Sequence, residues 1–311
     1  MALIKEETGG DPMTKDKWVR LSLKHLSQLL QERGHVLDPG TVRRLLGKWK
    51  YSLKGNRKRH TGPAHPDRDR QFRYISRQRR RFVRAGWPVI SVDTKKKELI
   101  GNFKNVGESW CLEAEEVNCH DFLQDAVGRA APYGIYLPEQ DCGYVYVSLS
   151  ADTPEFAVDA IKTWWQRSGR RRYPQANHLL ILADAGGSNG CRPRLWKLKL
   201  QEELANRYGL TVTVCHYPRG ASKWNPIEHR LFSYISINWA GKPLRSLEIL
   251  LGYVRGTQTE TGLRVKATSI AKTYQKGIKV TNQQMAKLQL QRHKTCPNWN
   301  YTIRPQDDPD I

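Results

Sequence analysis

The stretch Leu179-Leu180-Ile181-Leu182-Ala183-Asp184-Ala185-Gly186-Gly187-Ser188-Asn189-Gly190 decides the fold. Five apolar residues in a row, closed by turn formers, read as a strand covered on both faces of a sheet. Asp184 ends that strand, and a carboxylate at the end of a buried strand is costly unless something positive binds there. The pattern recurs upstream, where Pro88-Val89-Ile90-Ser91-Val92 runs into Asp93. A third acid, Glu228, opens a helical pattern after Ser222-Lys223-Trp224-Asn225-Pro226-Ile227.

Around these acids the pattern alternates between strands and helices. Val89–Asp93 reads as one strand, and 98–103 as a second, paired with it through the Lys95-Lys96-Lys97 turn. Gly143–Leu149 alternates like a third strand. Thr153–Arg167 is helical with Phe156, Ala160, Ile161, Trp164 and Trp165 on its apolar side, and both tryptophans read as core. After Leu179–Ala183 come a helix over 192–208, a fifth strand over 211–215 and a helix over 226–238. This order predicts an α/β protein with a mixed five-stranded sheet flanked by helices, and it matches a ribonuclease H-like fold.

Upstream, residues 1–15 are polar and are expected to be disordered. Ser22 caps a helix with apolar Leu23, Leu26, Leu29 and Leu30, ended by Gly34. Asp38 caps a second, with Pro39 at its first position, Val42, Leu45, Leu46 and Trp49 facing inward, and Arg43, Arg44 and Lys48 on the other side. Two short helices in tight succession, the second basic, read as a helix-turn-helix-like module. Residues 43–84 carry sixteen Lys and Arg against two Asp. The expected organisation is a disordered 1–15, a helix-turn-helix-like and basic 16–86, a ribonuclease H-like 87–240 and a basic, poorly patterned tail over 241–311 with one helical candidate at 281–288.

The formal charge of +22 over 311 residues implies a polyanionic partner, nucleic acid or an acidic membrane surface. No apolar run approaches the roughly 20 residues of a spanning helix. The first residues lack the form of a signal peptide. Six scattered cysteines with no Cys-x-x-Cys pair read as reduced thiols, so the expected location is cytoplasmic, with the nucleoid.

In a chain built to hold phosphates, Asp93, Asp184 and Glu228 suggest metal-assisted cutting or joining of nucleic acid, because carboxylates suit magnesium and two such ions serve both the attacking and the leaving oxygen. Spacing alone does not bring the three together. Each acid also has a local reading: Asp93 as a turn residue, Asp184 as the start of a glycine turn, and Glu228 as the third residue of a capping box with Asn225 as N-cap and Pro226 at the first position. Gly186–Asn189 could cradle a phosphate at a helix N-terminus or simply turn the chain. His216 and His229 read as structural or solvent-facing. Phosphate contacts are expected from Arg43, Arg44, Lys48, Arg57, Lys58, Arg59, Lys95, Lys96 and Lys223, although solvated charge is the plainer reading of any one. Zinc and Ser-His-Asp patterns are not present at usable spacings.

The segments HPDRDRQFRYI (65–75), VISVDTKKKELIGNFKN (89–105), LILADAGGSNG (180–190) and SKWNPIEHRLFSYI (222–235) resemble the Rhodopirellula-type DDE transposases of bacterial insertion sequences, the ISAzo group. So do Ala131–Tyr136, Thr261–Val265 and Trp299–Thr302, and the resemblance runs from about residue 17 to 305. It implies a ribonuclease H-like catalytic domain with Asp93, Asp184 and Glu228 as a triad binding two Mg2+ ions, for which Mn2+ substitutes. The implied activity is DNA strand cleavage and strand transfer. The implied partners are double-stranded DNA, as element ends and target, and further copies of the chain in a dimer or higher oligomer. Family members look longer at the N-terminus, so a shortened DNA-binding region is expected here. A catalytically inactive, DNA-binding remnant is the alternative.

Overall fold

The computed structural model describes residues 8–10, 17–19, 22–49, 51, 65–108, 113–118, 123–221 and 224–306. The chain divides into two compact units, Met1–Pro63 and Ala64–Ile311. In the first, β1 (Thr8–Gly10) pairs antiparallel with β2 (Lys17–Val19), so residues 8–10 are not the disordered segment their composition suggests. α1 (Leu23–Gln31) and α2 (Pro39–Lys48) start where their caps predict. The Ser22 side chain accepts from the His25 N–H, and Asp38 accepts from those of Gly40 and Thr41. Arg43, Arg44 and Lys48 are exposed, and Val42 is buried. Trp49, expected inside, is 69 % exposed. The link between the helices is the seven-residue stretch 32–38, longer than the tight connection anticipated.

The second unit begins with α3 (Arg68–Arg84) and continues through β3 (Val89–Thr94), β4 (Glu98–Ile100), β5 (Gly128–Leu137) and β6 (Cys142–Ser148). α4 (Pro154–Trp164) and α5 (Arg170–Arg172) precede β7 (His178–Ala183); α6 (Arg194–Leu200) precedes β8 (Thr211–His216). α7 (Ser233–Asn238), α8 (Leu247–Arg255), β9 (Arg264–Ser269), α9 (Asn282–Ala286), β10 (Leu290–Arg292) and β11 (Asn300–Ile303) complete it.

The strands form one sheet in the order β10-β11-β8-β7-β3-β5-β6-β9, with β4 alongside β5. β3, β7 and β8 run parallel, and β5 is antiparallel to both β3 and β6. Numbered within the central five, that order is 3-2-1-4-5, a ribonuclease H-like sheet as expected. Two details differ. The second strand is Gly128–Leu137, not 98–103, and the short Glu98–Ile100 pairs with β5 instead of folding back on β3. The sheet has nine strands rather than five because β5 was not anticipated and because residues 264–303, within the region expected to be poorly patterned, supply three more. β9 joins parallel to β6, and the β10–β11 hairpin extends the sheet beside β8.

Both faces are covered. Phe156, Ile161 and Trp164 of α4 and Trp196 and Leu200 of α6 pack against Ile90, Val92, Ile181 and Val214 on one side. On the other, Ile75 and Phe82 of α3 meet Leu180 and Leu182, while Ile227, Leu231 and Phe232 meet Tyr136 and Val145. Burial of alternate residues on opposite faces explains why β7 is apolar from Leu179 to Ala183. Trp164 and Trp165 lie in the core, as read from the sequence.

Candidate active site

In the parallel register Val92 lies opposite Ala183, so the next residues, Asp93 and Asp184, end adjacent strands side by side. Glu228 comes from above the sheet, at the first position of a π-helical turn, Glu228–Phe232, that leads into α7. Its approach is set by two glycines. Gly134 pairs with Asp93 across β3–β5, and a Cβ there would sit 2.5 Å from Phe232 and 2.8 Å from Ile227. A Cβ on Gly143 of β6 would meet Leu231. Without side chains at these points, the helix carrying Glu228 settles close onto the sheet beside Asp93.

The three acids are half-buried. Asp93 and Glu228 share a side-chain hydrogen bond. Burial, then the charge of Asp184, pushes the Asp93 carboxyl up to about 8, against its own backbone contact from the Thr94 N–H. Burial and Asp184 also raise Glu228. Asp184 is raised by burial, although the Asn225 amide beside it favours the ionised form. Three half-buried carboxylates, all raised, two of them partly by the charge of Asp184, make a site short of positive charge.

Asn225 is the connection the sequence did not reveal. Fully buried, it donates from Nδ2 to Asp184 Oδ1 at 3.0 Å and accepts at Oδ1 from Ser91 Oγ at 2.5 Å. Its side chain is therefore taken up by the strands, and Glu228 turns to Asp93; only the Glu228 N–H to Asn225 C=O contact, 3.1 Å, remains of the capping arrangement. The one sequence signal was Ser91, a polar residue two before Asp93 and so on the same strand face.

A second buried chain fixes the Asp184 backbone. Trp196 Nε1–H donates to Tyr301 Oη at 2.8 Å, Tyr301 Oη lies 3.4 Å from His216 Nε2, and His216 Nδ1 lies 2.9 Å from the Asp184 carbonyl. Burial lowers His216 to about 4, so the ring is neutral and Nδ1–H is the donor. Tyr301 belongs to the C-terminal strand, which is thus part of the site's support. Next to it, Gln71 of α3 and Asn300 exchange two amide hydrogen bonds, 2.7 and 2.6 Å, with both side chains fully buried.

The other expected residues are dispersed. Lys95 pairs with Glu98 at 2.8 Å and lies over the Trp239 ring, close enough to favour ionised Glu228, so it is engaged within the protein rather than presented to phosphates. Lys96 is exposed, and His229 faces solvent. Arg43, Arg44 and Lys48 lie on the exposed side of α2. Arg57, Lys58, Arg59 and Lys223 lie outside the described residues. α6 begins at Arg194 without a side-chain cap, so Gly186–Asn189 turns the chain and does not open that helix. Cys142, Cys191, Cys215 and Cys296 are free thiols.

An all-oxygen set of three carboxylates fits a hard divalent cation. Among the described residues no three His, Cys, Asp or Glu side chains are already close enough to share one ion, and one oxygen of Asp184 is taken up by the Asn225 amide. Among the described residues no helix is long and apolar enough to cross a membrane.

No curated protein matches the chain. Among solved structures it is similar to the Mos1 transposase paired-end complex with left transposon end, at 14% identity over 81% of this chain and 68% of that one, with a TM-score of 0.46. It is also similar to the Mos1 Strand Transfer Complex, at 13% identity over 79% and 71%, with a TM-score of 0.45. The family model described as the Rhodopirellula transposase DDE domain matches residues 1–305, nearly the whole sequence in which these three acids stand, and the chain belongs to that transposase family.

Proposed function

We propose that the chain cleaves DNA strands at the ends of an insertion sequence and transfers them to target DNA, with Asp93, Asp184 and Glu228 as its catalytic carboxylates. The observation that carries this reading is the pairing of Asp93 with Glu228 beside Asp184 at the ends of two parallel strands, where each acid resists ionisation. In this reading Asp93 and Glu228 hold one proton between them at neutral pH, and divalent cations held by the three carboxylates would take its place. Asn225 keeps Asp184 Oδ1 aimed, and neutral His216 holds the Asp184 main chain. Magnesium ions held here would supply charge stabilisation at the leaving oxygen and activate a water or a 3′-hydroxyl for in-line attack. The basic N-terminal unit, with Arg43, Arg44 and Lys48 exposed on α2, would hold double-stranded element DNA.

The test is Asp184→Asn assayed on duplexes carrying the genomic sequence that flanks the gene. Loss of several kcal/mol of charge stabilisation predicts at least about 10³-fold slower nicking in Mg2+ or Mn2+. Duplex affinity in EDTA should stay within about twofold. Nicking at the wild-type rate would remove Asp184 from the mechanism. Binding without cleavage by the unaltered chain would favour the inactive remnant.

A further inference from the structure

A groove lies on the α3 face of the sheet, between that helix and the β10–β11 hairpin. It encloses a cavity of about 380 Å³ whose lining includes Arg81, Arg292, Lys294, Arg304, His178 and His293 and contains no carboxylate. Arg81, Lys294 and Arg304 are exposed and make no ion pair among the described residues. The floor is a fixed polar line: Tyr74 Oη to His293 Nδ1 at 2.6 Å, His293 Nε2 to Thr302 at 2.8 Å, and Thr302 to Thr213 at 3.0 Å. Burial, and then the guanidinium of Arg81, lowers both histidines, with Arg304 adding to the effect on His178. So many cations around a cavity without an acid repel one another until an anion enters.

The groove continues along α3. Arg73, Arg77, Arg80 and Arg84 are exposed and recur at helical spacing, and a second cavity of about 600 Å³ is lined by Arg77, Arg80, Arg81 and Arg84. One end of the helix is tied to the catalytic end of the sheet, where Gln71 donates to the His216 carbonyl at 2.8 Å. The other end leads into the start of β3. The cavity reaches His178 and Thr211, the first residues of β7 and β8, whereas Asp184 follows the last residue of β7. Six strand residues at about 3.3 Å each separate the two ends by roughly 20 Å.

We propose that this groove docks the phosphodiester backbone of a DNA duplex, about six base pairs along from the bond that meets the carboxylates, a spacing that follows from about 3.4 Å per phosphate on one strand. The proposal rests on the reading of this chain as a DNA-processing enzyme, but binding can be measured without cleavage. The occupant is nucleic acid rather than a free anion because the cavity continues into the arginine stripe, a track longer than one phosphate group.

The experiment is fluorescence anisotropy of the full chain with a labelled 30-base-pair duplex in EDTA, across a range of salt. Arg81→Ala/Arg304→Ala should weaken binding about tenfold at 150 mM salt and lower the slope of log K against log[salt] by about 2. Arg170→Ala/Arg171→Ala, an equal charge loss at exposed positions in α5, should change affinity less than about twofold. Arg81→Lys/Arg304→Lys keeps the charge and should keep most of the slope, which separates docking from damage to the fold. Equal losses in the two alanine pairs, or no loss in the groove pair, would overturn the proposal. A melting shift with inorganic phosphate that needs Arg81 and Arg304 while duplex affinity does not would also overturn it, in favour of a free-anion site. Normal cleavage with unchanged affinity in the groove variant refutes the docking site alone, whereas groove-dependent binding without any cleavage refutes the catalytic reading alone.

Discussion

Asp93 has the most perturbed environment of the three acids, and its consequence is a pH signature. Its carboxyl is raised from 3.8 to about 8 by burial and by Asp184. Between about pH 4 and pH 8 the folded chain therefore keeps a proton here that the unfolded chain has released, and stability falls as pH rises through that window. Urea midpoints in EDTA should decline from pH 5 to pH 8.5, and Asp93→Asn should flatten the decline. Cations held by the proposed triad would displace the same proton, so the stabilisation by Mn2+ should be larger at pH 8.5 than at pH 6. A wild-type midpoint that does not move with pH would argue against the shared proton. Asp184 and Asp93 were legible as site candidates because each ends an apolar run; Asn225 was not, since a residue before proline at a helix start reads as a cap.

At the scale of elements, the site depends on how closely one helix lies on the sheet. The segment carrying Glu228 rests on β5 and β6 where Gly134 and Gly143 leave room. Gly134→Val forces Phe232 and Ile227 away, and overpacking of this kind costs about 1–3 kcal/mol. At roughly 2–4 °C per kcal/mol for a unit of this size, the melting temperature should drop by several degrees. Cleavage should fall further, by about 10²-fold, because a shift near 1 Å at the catalytic groups costs that much. A valine variant that melts lower yet cleaves normally would show that Glu228 tolerates a looser approach. α3 has a corresponding role on the other half of the sheet: its apolar stripe covers β7 and β8, and Arg73, Arg77, Arg80, Arg81 and Arg84 remain outside.

At the scale of the whole molecule, residues 264–303 are structural. β9 covers the edge of β6, the hairpin β10–β11 covers the edge of β8, and Tyr301 and Asn300 reach the supports of Asp184 and α3. A chain ending after Gly262 would expose two long strand edges, which invite intermolecular pairing. It should aggregate on size-exclusion chromatography and lose a cooperative melting transition. A monomeric, cooperatively melting truncation would mean that the central five strands suffice. The charge of +22 belongs to this scale too, and the structure concentrates part of it along α3 and the hairpin.

The sequence by itself determined the elements whose signals are local. Caps at Ser22 and Asp38, the continuous apolar run of β7 and the acids at the ends of β3 and β7 follow from neighbouring residues alone. Local patterns also sufficed for the fold class, although they missed β5 and the three strands after residue 241. Partner choice was decided only by the tertiary structure. Whether Glu98–Ile100 pairs with β3 or β5, whether Asn225 caps a helix or bridges Ser91 and Asp184, and whether residues 264–303 trail or complete the sheet all depend on contacts between residues far apart in the chain. Strand pairing and buried amide bonds are satisfied by whichever group the fold brings within 3 Å, and no local spacing encodes that choice.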